Sequence, residues 1–177
     1  MTCIECNKNS MKINSFGLCD NCIHTSKKIQ QEFDENQTLE YTEPVNIIDN
    51  IYIGNINSTV DGEKLKKNNF KYIITVGNNI SKFAKKTNID YIEFLVDDSL
   101  EQDMTSVFKN SLNIVNNIKN GNILIHCYSG ISRSASTIIY ILMKKYDMNF
   151  MNAFNYLKNI HPKAHPNSNF INQLKLV

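Results

Sequence analysis

One cysteine stands apart from the others, at the end of an apolar stretch that is typical of a buried β-strand. It is Cys127, within the segment NILIHCYSGISRSAS, and Arg133 follows it six residues later. Gly130 permits a tight turn between them, and Ser129 and Ser132 are small enough not to block it. A turn from a strand into a helix directs backbone N–H groups inward and, with the helix N-terminus, forms a cradle for an oxyanion such as phosphate.

The same arrangement would make Cys127 a nucleophile. Amide dipoles and a nearby guanidinium favour the thiolate over the thiol, and the thiolate is the reactive form. Arg133 offers a planar pair of donors to two phosphoryl oxygens, which a lysine could not do. The alternative is a buried, inert cysteine beside a helix that contains an arginine; we favour the reactive cysteine.

The four remaining cysteines form two C-x2-C pairs near the beginning of the chain. They are Cys3, Cys6, Cys19 and Cys22, with twelve residues between the pairs. Zn²⁺ binds four thiolates tetrahedrally, and two residues between the members of a pair let a tight turn direct both sulfurs to one ion. Gly17 and Asn21 suit such turns. We predict a structural zinc site rather than free thiols or a redox pair. His24 could substitute for one ligand, but we favour a solvated histidine that binds no metal.

Apolar residues are few around these cysteines, so a segment this short needs a metal to fold. We predict a zinc-binding segment over residues 1–30, then a helix end and a charged linker over residues 31–44. Pro44 marks the boundary. A second, larger domain is predicted over residues 45–177.

The composition is that of a globular protein, with 42% hydrophobic and 20% charged residues. A net charge of +2 is too small to indicate nucleic acid or an acidic membrane surface as a partner. No apolar run approaches the length of a membrane span, and the first residues lack the apolar region of a signal peptide. We expect an intracellular protein of the cytoplasm, the nucleus or both, where structural disulfides are rare.

Strand-like and helix-like segments alternate in the larger domain. Strands are predicted in NIIDNIYIGN, KYIITVGN, DYIEFLV and NILIH. Helices are predicted in DGEKLKKNNF, over residues 105–119, in RSASTIIYILMKKY and in NFMNAFNYLKNI. This alternation predicts an α/β fold with a mainly parallel central sheet flanked by helices. Binding crevices in such folds lie at the carboxyl ends of the strands, where Cys127 is placed.

With these elements in place, the sequence resembles the protein tyrosine phosphatases, and most closely the dual-specificity phosphatases. HCYSGISRS, from His126 to Ser134, matches the H-C-x-x-G-x-x-R-S/T loop of that superfamily. IIDNIYIGN is similar to the opening strand of the family, FLVDDSLEQDM to its acid loop and AHPNSNFINQL to its closing helix. The resemblance covers about residues 45–177. It implies a protein tyrosine phosphatase-like fold and a phosphocysteine mechanism without a catalytic metal.

The resemblance also implies a role for each matching residue of the loop. Cys127 would attack phosphorus and form a thiophosphate intermediate. Arg133 and the loop amides would stabilise the equatorial oxygens of the transition state. His126 would orient the loop, and Ser134 would donate a hydrogen bond to the departing thiolate. The substrate-binding residues would be Tyr128, Ser129, Gly130, Ile131, Ser132 and Arg133.

A carboxyl group is also needed, to protonate the leaving oxygen and later to accept a proton from water. Asp97 and Asp98 follow the strand candidate DYIEFLV. The resemblance of YIEFLV to the family places Asp98 at the acid position, with Asp97 as the alternative. Asn167 and Phe170, in PNSNF, would either support the active-site loops or serve as a helix cap and a core residue.

The expected substrate is a phosphorylated protein carrying phosphotyrosine and phosphoserine or phosphothreonine. The loop lacks the lysine that inositol-lipid phosphatases commonly carry, and the extended substrate-clamping loop of tyrosine-only enzymes is not recognisable. Two alternatives stay open. One is an RNA 5′-triphosphatase of the same superfamily, which the near-neutral charge disfavours. The other is a phosphatase-fold binding or scaffold protein whose zinc segment recruits a protein partner.

Overall fold

The computed structural model describes residues 40–78, 80 and 88–177. The predicted zinc ligands Cys3, Cys6, Cys19 and Cys22 lie outside these residues, as does most of the predicted linker, so both remain predictions. Residues Glu40–Val177 form one compact unit. Within the described ranges, no helix is long and apolar enough to cross a membrane.

A five-stranded sheet forms the centre of this unit, in the order β1-β2-β5-β3-β4. The strands are β1 (Val45–Ile48), β2 (Ile51–Gly54), β3 (Phe70–Val76), β4 (Asp90–Phe94) and β5 (Asn122–His126). Strands β2, β5, β3 and β4 are parallel to one another, and β1 is antiparallel to β2. The predicted mainly parallel sheet is therefore confirmed, and its central strand, β5, ends directly before Cys127.

The segment NIIDNIYIGN, predicted as one strand, folds as a hairpin. Its turn lies at Asp49, whose φ is +49°, and aspartate and asparagine tolerate this left-handed conformation better than other non-glycine residues. The side chain of Asn46 donates to the carbonyl of Asp49 across the turn, at 3.0 Å. The sequence signal for this turn is the polar pair Asp49 and Asn50 within an apolar run.

In the ranges that the structure describes, five α-helices lie against the sheet: α1 (Gly62–Lys67), α2 (Thr105–Asn117), α3 (Arg133–Lys145), α4 (Phe150–Ile160) and α5 (Ser168–Lys175). Helix α2 has the predicted apolar stripe, with Val107, Phe108 and Val115 buried and Leu112 and Ile118 partly buried against the core. It ends at Asn117, two residues before the predicted end. The other helices agree with the predicted segments to within a turn.

Helix α3 is the central helix, and every residue from Ser134 to Leu142 is buried. It contacts the sheet and the helices α2, α4 and α5. The hydroxyl groups of its first turns are buried but bonded: Ser136 Oγ donates to Ser132 O at 2.7 Å and Thr137 Oγ1 to Arg133 O at 3.0 Å. Buried hydroxyls with partners avoid a desolvation penalty, so the polar start of α3 can lie in the core and fix the position of Arg133.

Candidate active site

Residues 127–133, which we call the active-site loop, connect β5 to α3. Between Tyr128 and Ser132, four of its peptide carbonyls accept hydrogen bonds from outside the loop. The pairs are Tyr128 O with Ile56 N at 3.1 Å, Gly130 O with His161 Nε2 at 3.0 Å, Ile131 O with His165 N at 2.7 Å and Ser132 O with Ser136 N at 2.8 Å. Among the described residues, the amides of residues 128–133 donate to no protein acceptor. They are thus available to an oxyanion.

The loop turns at Gly130, where φ is +73°. L-residues rarely adopt this conformation. A Cβ at this position would also lie 2.7 Å from the carbonyl oxygen of Gly54, at the end of β2. Both the turn and the close approach of the loop to β2 therefore require glycine.

Cys127 lies at the base of the loop with no exposed surface. Its Sγ accepts a hydrogen bond of 3.2 Å from Ser134 Oγ, and Ser134 is itself fully buried. A hydroxyl that donates to sulfur stabilises the thiolate more than the thiol. The structure thus brings together the predicted nucleophile and the predicted hydroxyl donor.

His126 is buried between β3 and the active-site loop. Its Nδ1 lies 3.3 Å from Cys127 O and its Nε2 lies 2.8 Å from Thr75 Oγ1. A carbonyl can only accept, so Nδ1 carries the hydrogen and the Thr75 hydroxyl donates to Nε2. Burial lowers the pKa of His126 to about 4. The imidazole is therefore neutral near pH 7 and positions the cysteine backbone without adding charge.

Arg133 begins α3 and is mostly buried, with 13% of its side chain exposed. One guanidinium nitrogen, Nη1, donates to Val96 O at 3.4 Å, and a Cβ at Gly77 would lie 2.6 Å from that atom. The buried Nε has no hydrogen-bond partner among the described residues. An unpaired buried donor is costly, and a phosphoryl oxygen would satisfy it.

Asp98 extends from the acid loop, residues 95–104, to the active-site loop. Its Oδ1 accepts hydrogen bonds from Ser132 Oγ at 2.7 Å and Asn167 Nδ2 at 2.8 Å. Its Oδ2 accepts neither of these bonds and lies 3.6 Å from Arg133 Nε. A proton on Oδ2 would therefore face the site where phosphate binds, next to the arginine.

Asp97, the alternative acid, is turned to a different partner. Its side chain accepts a hydrogen bond of 2.7 Å from Asn78 Nδ2, and its amide donates to Gln102 Oε1 at 3.0 Å. The residue is exposed. The structure places Asp98, and not Asp97, in contact with the active-site loop.

Asn167 serves both of the purposes that the sequence left open, whereas Phe170 serves as a core residue. Asn167 caps α5 by accepting from Phe170 N at 2.9 Å, and it also donates to Asp98. Phe170 is fully buried in the core. Sequence reasoning missed two residues of the site: Thr75, the one polar residue of the segment 73–76 at the end of β3, and His161, for which no local pattern is a signal.

No group of three or more His, Cys, Asp or Glu side chains suited to a metal occurs in the part of the chain that the structure describes. The site brings together a cysteine thiol, an arginine, amides without protein acceptors and a carboxyl group. These are the components that phosphoryl transfer requires.

Comparisons with known proteins agree with this chemistry. The family model for the catalytic domain of dual specificity phosphatases matches residues 51–177. A Dictyostelium discoideum relative, named as a dual specificity protein phosphatase, is 35% identical over 129 residues, which is 72% of this chain and 59% of that protein. Human dual specificity protein phosphatase 16 is 30% identical over 133 residues, 74% of this chain and 20% of that protein. The chain thus matches only part of the length of either relative.

The fold is also found among solved structures. The crystal structure of DUSP15 superposes with a TM-score of 0.67 at 25% sequence identity, covering 75% of this chain and 85% of that one.

Proposed function

The chain belongs to the dual specificity phosphatase family, and on that basis we propose that it is a protein phosphatase acting on phosphotyrosine and on phosphoserine or phosphothreonine. The observation that best supports this proposal is the arrangement of hydrogen bonds around the active-site loop. Cys127 accepts a hydrogen bond from Ser134 beneath a loop of free amides, and Asp98 reaches the same loop through Ser132.

In the first step, the Cys127 thiolate attacks phosphorus in line with the leaving oxygen. The S–P bond forms as the P–O bond to the substrate breaks, and Asp98 gives its proton to the departing oxygen. Arg133 and the amides of the active-site loop bind the three remaining oxygens, whose charge is distributed in a loose transition state.

In the second step, water attacks the phosphocysteine. Asp98, now a carboxylate, accepts a proton from the water, and the S–P bond breaks to release inorganic phosphate and the thiolate. The hydroxyl of Ser134 donates to the sulfur as its negative charge returns. His126 acts throughout as a positioning residue, because its neutral ring holds the carbonyl of Cys127.

Substrate contacts are proposed for the exposed side chains of the active-site loop. Tyr128 is 61% exposed and Ile131 is 37% exposed. Both are apolar over most of their surface, and neither has the positive charge that a multiply phosphorylated lipid would require. They suit the side chains that flank a single phosphorylated residue in a protein.

The test uses two peptides of the same sequence, one with phosphotyrosine and one with phosphothreonine, and an RNA 5′-triphosphate for comparison. We expect phosphate release from both peptides and none from either with Cys127→Ser. Hydrolysis of the RNA alone would favour the triphosphatase alternative. Hydrolysis of the phosphotyrosine peptide alone would limit the enzyme to tyrosine.

For the remainder of the chain we propose a structural zinc ion bound by Cys3, Cys6, Cys19 and Cys22, in a segment of residues 1–30 joined by residues 31–44 to the catalytic domain. The segment would contribute its own fold and a contact with a protein partner, in an intracellular setting where thiols stay reduced. Elemental analysis should find about one zinc per chain, as four thiolates bind one ion. Deletion of residues 1–30 should remove the zinc and spare hydrolysis of a small aryl phosphate.

A further inference from the structure

We infer that His161 is a positioning residue for phosphate binding: its imidazole orients the peptide between Gly130 and Ile131, so that the amide of Ile131 faces the phosphate. The inference rests on the proposed phosphatase function and extends it to a residue outside the loop motif. His161 follows the end of α4, thirty-one residues beyond Gly130 in the chain.

The first step of the argument is the geometry of a trans peptide, in which the C=O and the following N–H point in opposite directions. The described part of the chain has no cis peptide bonds. A donor that holds a loop carbonyl on the outside therefore holds the next amide hydrogen on the inside. The hydrogen bond of 3.0 Å from His161 Nε2 to Gly130 O does this for the amide of Ile131.

The second step concerns the neighbouring peptides of the loop, which are held by backbone donors. Ile56 N fixes the carbonyl of Tyr128, and His165 N fixes the carbonyl of Ile131. Among the described residues, the peptides after Cys127 and Gly130 depend instead on side-chain donors, those of His126 and His161. The peptide after Gly130 is the one whose donor lies outside the loop motif. It is also the peptide next to the glycine with positive φ, where the backbone has the widest choice of conformations without a partner.

The third step is the state of the imidazole. The Gly130 carbonyl can only accept, so Nε2 carries a hydrogen whether the ring is neutral or charged. Burial, and more weakly the ammonium groups of Lys163 and Lys158, lower the pKa of His161, against the opposing effect of the Gly130 hydrogen bond. The neutral Nε2–H form is thus sufficient for the contact.

The experiment measures binding of tungstate, a tetrahedral oxyanion, by calorimetry to the full chain and its variants. His161→Leu removes the donor, and His161→Gln keeps an N–H at about the same place. Lys158→Met is the matched control: Lys158 Nζ donates to Ala164 O at 2.8 Å, so this change loosens the same segment without touching Gly130.

We expect His161→Leu to weaken tungstate binding about tenfold and to raise the KM for an aryl phosphate similarly, since one hydrogen bond is lost. His161→Gln and Lys158→Met should bind within about twofold of the unchanged protein. Unchanged binding by His161→Leu would overturn the inference, as would equal losses in His161→Leu and Lys158→Met, or no recovery in His161→Gln.

A measurement on the unchanged protein decides the matter if His161→Leu does not fold. Nitrogen NMR of the imidazole should show hydrogen on Nε2, with a signal that shifts as tungstate saturates the loop. Hydrogen on Nδ1 alone, or a signal insensitive to tungstate, would overturn the inference. If the protein binds tungstate as expected but hydrolyses no phosphopeptide, the proposed function fails and the role of His161 in the loop stands.

Discussion

Two adjacent carboxyl groups, those of Asp97 and Asp98, occupy different surroundings although the sequence alone makes them nearly equivalent. Asp98 Oδ1 is held by Ser132 and Asn167, while Oδ2 remains beside Arg133. Asp97 is paired instead with Asn78. Of the two carboxyl groups, that of Asp98 contacts the active-site loop, which supports its proposed role as the general acid.

Asp98→Asn should lower kcat for phenyl phosphate by roughly 10² to 10⁴, the usual contribution of positioned acid–base catalysis. The loss should be much smaller for an aryl phosphate whose leaving group is already a stable anion. Steady-state kinetics with the two substrates measures the difference.

The control is Asp97→Asn, which removes the neighbouring charge but not the contact with Ser132. It should change both substrates modestly and to the same extent. A large loss that depends on the leaving group in Asp97→Asn would show that the assignment is shifted by one residue.

The spacing of Cys127, Gly130 and Arg133 was enough to predict the loop because every one of these residues is required by the backbone turn or by the phosphate itself. His161 could not be predicted in the same way. Its contact with Gly130 depends on how α4 ends against the loop, and no local pattern in the sequence encodes that distance.

Among the secondary-structure elements, α5 makes several hydrogen bonds to the acid loop. Its polar side chains bind the backbone of the acid loop: Gln173 accepts from Met104 N at 2.8 Å and donates to Gln102 O at 2.8 Å, and Asn169 donates to the same carbonyl at 2.8 Å. With Asn167 on Asp98, these contacts hold the acid loop in place before a substrate binds. We expect the general acid to be preorganised.

Asn167→Ser should separate the two functions of this residue. Serine still caps a helix, so stability should change little. It lacks the amide that donates to Asp98, and kcat for phenyl phosphate should fall about tenfold, as expected for one hydrogen bond to a charged group. Thermal unfolding and steady-state kinetics measure the two effects.

Ser168→Ala, a change at the exposed first residue of α5, serves as the control and should leave both quantities unaltered. Equal kcat values for Asn167→Ser and Ser168→Ala would remove the proposed coupling between α5 and the acid.

Most elements followed from the hydrophobic pattern of the sequence, because amphipathic helices such as α2 bury one face and the central strand β5 is an apolar run. The hairpin of β1 and β2 did not, because its turn uses only Asp49 and Asn50 within an apolar run. The bonds from α5 to the acid loop also could not be predicted, since they join residues about seventy positions apart.

For the molecule as a whole, the buried His126 makes the free energy of unfolding depend on pH. Its pKa is lowered from 6.5 to about 4 because burial disfavours the charged ring. The unfolded chain therefore binds more protons than the folded protein between these pH values. The contribution of His126 is fully present above pH 6.5 and is lost as the pH falls toward 4.

The free energy of unfolding should thus fall between pH 6.5 and 4 by about 3 kcal/mol more in the unchanged protein than in His126→Gln. Urea unfolding at a series of pH values measures this difference. Thr75→Val is the control, because it removes the hydrogen bond to Nε2 but keeps the ring; it should be less stable at every pH and retain most of the slope. Equal slopes in the unchanged protein and His126→Gln would contradict the prediction.

The central claim is that Cys127 carries the phosphoryl group during turnover, and rapid acid quenching followed by peptide mass spectrometry tests it most directly. The protein, mixed with an excess of aryl phosphate and quenched during turnover, should yield the peptide containing Cys127 with one added phosphoryl group. Cys127→Ser should yield none and retain less than about one per cent of the turnover, because covalent and acid–base catalysis together exceed a hundredfold. A phosphoryl group on any other residue, or greater turnover by Cys127→Ser, would contradict the phosphocysteine mechanism.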